Sequence, residues 1–241
     1  MTGSMRKDDT SAEQTIYHFL EKNLYENLKN QYSPNFDFWQ EKNAELQKKG
    51  IDLIINWNEN GKNREYKFDE KAAVHYCTIF LKTFAFEINS IQKDYGEPIR
   101  GWFVSNNSET DWYHIIWPRA KVNNPNSVKE ILYCDTAMIN KETLKKKVAS
   151  DLHTTPTEIN NKLLSYAESI RNGTIDDDLD AVQENNSKNK KYIIKEAQNY
   201  SLCYSFKLPE KPINILIDRK ELNNIATHIF RVTHDGYSQI R

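Results

Sequence analysis

The chain opens on a helical pattern. Ile16, Phe19, Leu20, Leu24 and Leu28 recur at intervals of three and four, the spacing that lines one face of an α-helix. Ser11 and Gln14 precede them at capping-box spacing, so a helix is predicted over residues 11–30, broken by Ser33-Pro34. A second helical stretch is predicted up to Gly50, with Phe38, Trp39 and Leu46 as core residues and Lys48-Lys49 before the stop. From Ile51 the period changes. Ile51–Trp57 and Arg64–Phe68 are rich in β-branched and aromatic residues. Asn60-Gly61 between them is the sequence of a two-residue type I′ turn.

Further strands are predicted at 101–104, at 111–117 with Pro118 as its end, and at 130–139, followed by a helix capped at Asn140. Residues 157–171 carry a second helical stripe of Ile159, Leu163, Leu164, Ala167 and Ile170, closed by Gly173. Residues 174–191 are acidic and then Asn/Lys-rich, the composition of a solvated linker or loop. Strands are predicted again at 192–197, 200–208 and 213–217. Asp218 and Glu221 then open a last helix reaching Val232. There is no internal repeat.

The 241 residues carry 33 Lys+Arg against 34 Asp+Glu, a formal net charge of -1. That length can bury a sizeable core, and 12% aromatic residues argue against a disordered chain despite a mean hydropathy of -0.79. The balanced charge excludes nucleic-acid binding by global charge alone, although a local basic groove is compatible with it. No apolar run approaches the roughly 20 residues of a membrane span, and no charged-then-apolar leader opens the sequence. Neither the phosphate-loop nor the dinucleotide-fingerprint glycine spacing occurs. The 3 cysteines are far apart and form no CxxC pair, which points to neither a disulfide framework nor zinc and fits a reducing, cytoplasmic setting. Residues 1–10 read as a tag remnant or disordered start, with Met1–Met5 resembling an expression scar.

The hairpin makes the sharpest chemical expectation. With Asn60 and Gly61 as its loop, Asp52 faces Asp69 across the ladder, their Cβ atoms about 5 Å apart. Lys71 lies two residues further on and so on the same face, whereas Glu70 turns to the other face with Tyr66 and Phe68. Two like charges across a ladder are unfavourable unless positive charge sits between them. Mg²⁺ or Mn²⁺ would provide it, since such ions are held by one or two carboxylates plus water and phosphate oxygen. A neighbouring ammonium can position an attacking water and stabilise charge developing on phosphorus. The plainer reading is of ordinary cross-strand charges with Lys71 neutralising one aspartate.

Gly50-Ile51-Asp52-Leu53, a hairpin, and then Asp69-Glu70-Lys71 resemble the PD-(D/E)xK nuclease superfamily, the restriction-endonuclease-like fold. Asp52, Asp69 and Lys71 match its motif, and Ile51 stands where a proline is usual. The likeness covers residues 36–72, weakens through Phe84–Glu87 and Gly101–Phe103, and does not extend beyond residue 140. It implies an α/β (mixed α+β) chain whose core, residues 11–140, is a central mixed sheet flanked by helices. A helical segment (141–173), the loop (174–191) and a C-terminal α/β strand-helix extension (192–241) would follow. The resemblance implies a metal-dependent nuclease that hydrolyses nucleic-acid phosphodiesters, with DNA as the first expectation. Asp52 and Asp69 would hold Mg²⁺ or Mn²⁺ and Lys71 would assist the attacking water. The family's helical acidic residue is assigned to Glu45, with Glu41 second.

Glu70, Glu87 and Gln47 are accessory candidates, each with a structural reading beside it. Lys145, Lys146, Lys147 and the run 188–191 are candidate phosphate contacts. Trp102, Trp112, Tyr113 and Trp117 suit base stacking or, more commonly, core packing. His75 and His114 are candidates for contact with metal or phosphate. A homodimer is the arrangement that symmetric double-strand cuts need. The rival function is a non-catalytic nucleic-acid- or protein-binding module on the same scaffold, indifferent to Mg²⁺.

Overall fold

The computed structural model describes residues 4–92, 96–182 and 189–241. Its first part runs α1 (Ser4–Leu20), a π-helical turn (Glu21–Tyr25), α2 (Glu26–Tyr32), β1 (Phe36–Gln40), α3 (Ala44–Lys48), β2 (Leu53–Glu59) and β3 (Lys62–Ala72). Then come β4 (Thr83–Ile91), β5 (Pro98–Arg100), β6 (Trp112–Ala120), β7 (Ile131–Asn140), α4 (Lys141–Asp151) and α5 (Ile159–Asn172). The remainder is β8 (Leu179–Val182), β9 (Lys190–Ile194), β10 (Tyr200–Tyr204), β11 (Ile213–Asp218), α6 (Arg219–Ile225), β12 (His228–Thr233) and β13 (Gly236–Gln239). The chain is thus mixed α+β. Among the described residues no helix is long and apolar enough to cross a membrane.

The chain divides into two units, one of residues 1–81, 109–141 and 223–241, the other of residues 82–108 and 142–222. The first holds a curled, mixed seven-stranded sheet in the order β1-β2-β3-β6-β7-β12-β13. Its β2–β3 hairpin turns at Asn60 (φ 55) and Gly61 (φ 77), both left-handed as a type I′ turn requires. β3 pairs in parallel with β6, so the chain must cross over between them, and it does so by way of residues assigned to the second unit. One face of the sheet packs against the N-terminal helices around Ile16, Phe19, Leu20, Leu24, Leu53, Phe68, Ile116 and Phe230, all buried. The second unit has a six-stranded sheet, β5-β4-β11-β10-β9-β8, antiparallel throughout.

Several sequence expectations change. Phe36–Gln40 is a strand paired to β2 rather than part of a helix, because its alternating FDFWQ pattern suits an edge strand. The helix that follows is only α3, capped by Asn43 Oδ1, which accepts from Glu45 N and Leu46 N. Pro118 does not end β6. Beyond Ile116 that strand has lost β3 as a neighbour, and Pro118 faces this unpaired side, where a missing N–H leaves no ladder bond unmade.

Residues 101–104 are a turn, not a strand. Gly101 N donates to Ile88 O at 2.8 Å, and a Cβ at Gly101 would meet Glu87 O at 2.3 Å, so only glycine permits this approach. The expected linker 174–191 contains β8 and the start of β9, paired antiparallel; residues 183–188 lie outside the described residues. The last helix stops at Ile225, and the Ile229, Phe230 and Val232 that follow alternate along β12 against β7. The expected start is helical from Ser4 onward, and residues 1–3 lie outside the described residues.

Candidate active site

β3 carries the candidate motif, and its ladder with β2 runs in the register that the turn dictates, ending at Leu53 opposite Phe68. Asp52 lies just beyond. Its N–H donates to Phe68 O at 2.9 Å, the carbonyl of Leu53's partner, and its Oδ2 accepts from Glu70 N at 3.1 Å. The paired ladder thus stops one residue short of Asp52 and Asp69, yet the two carboxyls adjoin, a side-chain hydrogen bond from Asp52 being among the causes that raise Asp69. The Asp52 carboxylate stands where a ladder acceptor would and satisfies an amide that the shorter neighbouring strand leaves exposed. It still reaches the same point, because Lys71 Nζ is bonded to Asp69 Oδ1 and lies 3.7 Å from Asp52 Oδ2.

Electrostatics distinguish the two carboxylates. Asp69 is 1% exposed, and burial pushes its carboxyl up to about 7 against the pull of Lys71, with Asp52 raising it further. Burial works against the Lys71 charge as well, yet Asp69 and Asp52 together raise it above the usual lysine range. So the ion pair holds Lys71 charged, while desolvation costs Asp69 more than that pair returns. On the same side of the sheet Lys141 feels both Asp69 and Asp111, although its own burial lowers its pKa.

Glu70 occupies the other face, as strand alternation demands. Tyr25 Oη donates to Glu70 Oε1, and His114 Nδ1 lies 3.0 Å from that oxygen and 2.7 Å from Tyr25 Oη. Burial, and then Glu70, raise Tyr25 well above the usual phenol range, so it remains a donor. His114 is buried on the strand beside, directly paired with Glu70 in the parallel ladder.

Where β2 and β1 end, these groups meet at a polar cavity of ≈ 280 Å³. Asp52, Glu70 and Lys71 line it together with Glu13, Tyr17, Gln40 and Gln47. The expected helical acid, Glu45, is not among them. It is 77% exposed and paired with Lys48 at 2.8 Å, and Glu41 accepts from Asn43 N instead. Glu13 on α1 does line the cavity, close enough to Lys71 to favour its charge. Its signal was present in the sequence, since Glu13, Tyr17, Leu20 and Leu24 follow one another at helical spacing along the margin of the apolar stripe.

The remaining candidates belong to the second unit or to packing. Lys145 Nζ lies 3.6 Å from the Phe103 ring centroid and donates to Asn160 Oδ1. Lys146 pairs with Glu142 at 2.7 Å, and Lys147 pairs with Asp151. Each of the three is thus engaged locally. Glu87 accepts from Ser90 Oγ at 3.2 Å in that unit. Tyr113 and Trp117 are buried in the sheet, Trp102 packs on Phe86, and Trp112 borders a cavity. His75 sits in an exposed turn. Of the basic run 188–191, Lys188 lies outside the described residues.

The donor chemistry suits a hard divalent cation. Mg²⁺ or Mn²⁺ takes one or two carboxylates and fills its other positions with water and phosphate oxygen. Among the described residues no group of three or more His, Cys, Asp or Glu side chains is placed to hold a metal. An ion held by Asp52 and Asp69 would therefore take most of its ligands from water and substrate. Comparison of the chain with protein-family models, curated proteins and solved structures gives no match.

Proposed function

We propose that the Asp52–Asp69–Lys71 cluster hydrolyses phosphodiester bonds of nucleic acid, DNA first, on a restriction-endonuclease-like core. One observation carries this reading: Lys71 Nζ lies between two aspartates at the edge of an open polar cavity. When bound, Mg²⁺ or Mn²⁺ would be held by Asp52 and Asp69 and would supply Lewis-acid stabilisation of charge on the phosphate. Lys71 donates to the attacking water or to a non-bridging oxygen, holding the water in line with phosphorus. Asp52, the more exposed carboxylate, takes the proton that the water gives up. The water oxygen bonds to phosphorus, the bond to the leaving alcohol breaks, and that oxygen takes a proton from solvent. Glu13 and Gln47 orient the water network at the cavity wall.

The deciding experiment is cleavage of supercoiled plasmid, single-stranded DNA and RNA with Mg²⁺, Mn²⁺ or EDTA. Asp52→Asn and Lys71→Ala proteins are assayed alongside. Metal-dependent cutting that both variants lose supports the reading, and cutting by Asp52→Asn at the wild-type rate overturns it. One observation favours the binding-module alternative, namely that Lys71 already neutralises part of the carboxylate charge and among the described residues no third ligand joins the two aspartates. That alternative predicts nucleic-acid or protein binding indifferent to Mg²⁺ and retained by Lys71→Ala.

A further inference from the structure

On the helix-facing side of the first unit's sheet, away from the ionic cluster along the same strands, lies a second cavity of ≈ 390 Å³. It falls within the range of about 300–1,000 Å³ typical of small-molecule sites. Tyr66 and Phe68 from β3, Trp112 from β6 and Trp57 from β2 build its walls. The Trp112 ring stacks on Phe68 at 5.9 Å with 29° between planes and meets Tyr66 edge-on at 86°. Trp57 leans on Tyr32 at 5.2 Å. The rings brace one another, so the hollow between them is a preformed aromatic surface open at its mouth.

The rim decides what kind of ligand suits these walls. Thr227, His228 and Gln239 are its polar members, and among the described residues no Lys, Arg, Asp or Glu lines the cavity. Gln239 Nε2 lies 3.4 Å from His228 Nδ1, so an amide and an imidazole stand side by side at the mouth. Burial lowers the His228 pKa, which favours the neutral ring. A fatty acid or a phosphate would bring charge with no ionic partner, at a large desolvation cost. A flat heterocycle instead presents faces to the indoles and an edge of donors and acceptors to Gln239, His228 and Thr227, much as unstacked bases are held.

We propose that this cavity binds a neutral, planar nitrogen heterocycle of the nucleobase class. The site does not depend on phosphodiester hydrolysis, because base binding and cleavage are read by separate assays. The test is calorimetric titration of the full chain with adenosine, with cytidine, with a short oligo-dA and with 1-adamantanol, an aliphatic cage without a π-face. Trp57→Leu and the rim variant His228→Ala are titrated alongside after their melting temperatures are checked. Nucleosides should bind and the alcohol should bind more weakly, with at least about a fivefold loss of nucleoside affinity in Trp57→Leu. Tighter binding of oligo-dA, lost in the same variants, identifies the ligand as a base within a strand; equal or weaker binding identifies a free nucleoside. The proposal is overturned if adamantanol matches the nucleosides. It is also overturned if His228→Ala and a folded Trp57→Leu both bind nucleosides like wild type, or if neither nucleosides nor the oligonucleotide bind at about 10 mM.

Discussion

Adjacent residues on β3 solve the problem of a buried carboxylate in two different ways. Asp69, on one face, is held by the ammonium of Lys71, with a second carboxylate 3.7 Å from that nitrogen. Glu70, on the other face, is held by the neutral phenol of Tyr25 and by the ring of His114. The first arrangement carries net charge, leaves Asp69 with a raised pKa and opens to a polar cavity. The second borders the same cavity through Glu70, and its hydrogen bonds tie β3 to Tyr25 of the N-terminal helical segment. Burial alone therefore does not mark a reactive carboxylate. What separates the two is whether the compensating partner is a charge or a neutral donor.

Removing the ammonium should break this contrast most severely. Lys71→Met leaves Asp69 without its compensating charge, and a loss of about 3–5 kcal/mol is expected in urea unfolding at about pH 9, where the Asp69 carboxyl would otherwise be ionised. A loss below about 1 kcal/mol would mean that Asp69 simply takes up a proton there. On the opposite face, Tyr25→Phe deletes one neutral donor to Glu70 and should cost about 1–2 kcal/mol in the same measurement. Equal losses at the two sites would erase the distinction drawn between them.

A smaller effect is expected from pH. The folded pKa of Asp69 is raised to about 7, so the folded state binds this proton more tightly than the unfolded chain does. Its contribution to stability is complete below the unfolded value of about 4 and is lost as pH rises to about 7. The stability difference between wild type and Asp69→Asn should accordingly decline over that window, and a difference that grows with pH would reverse the sign. Smallest of all, Glu45→Ala should change stability by no more than about 0.5 kcal/mol, since Glu45 pairs only with Lys48 at the surface. It should also leave any cleavage intact, whereas Glu13→Gln should slow it.

The legible parts of this molecule are those governed by local rules. Asn60-Gly61 fixed the turn because only residues tolerant of positive φ fit there, and the turn fixed the β2–β3 register down to Leu53 and Phe68. Alternation then placed Glu70 opposite in sense to Asp69 and Lys71. Reading failed where a non-local partner decides. FDFWQ alternates, but five residues are too few to fix a strand until β2 supplies a ladder, and Pro118 looks like a strand end until β3 is known to stop short of it. Glu45 and Glu13 are both helical acids in the sequence, and only packing tells which one borders the cavity.

By itself, then, the sequence determined the hairpin, its facing pattern, the N-terminal helix and the grouping of two aspartates with one lysine. Each of these follows from backbone sterics or a fixed periodicity within a few residues. The tertiary structure alone decided that Asp52, besides adjoining Asp69, accepts from the Glu70 amide. It also decided that residues 82–108 join the second sheet while 223–241 return to the first, and that an aromatic hollow forms from residues of strands far apart in the chain. Such features arise where strands of unequal length come side by side, and their energies reside in burial and desolvation, which depend on distant neighbours rather than on local spacing.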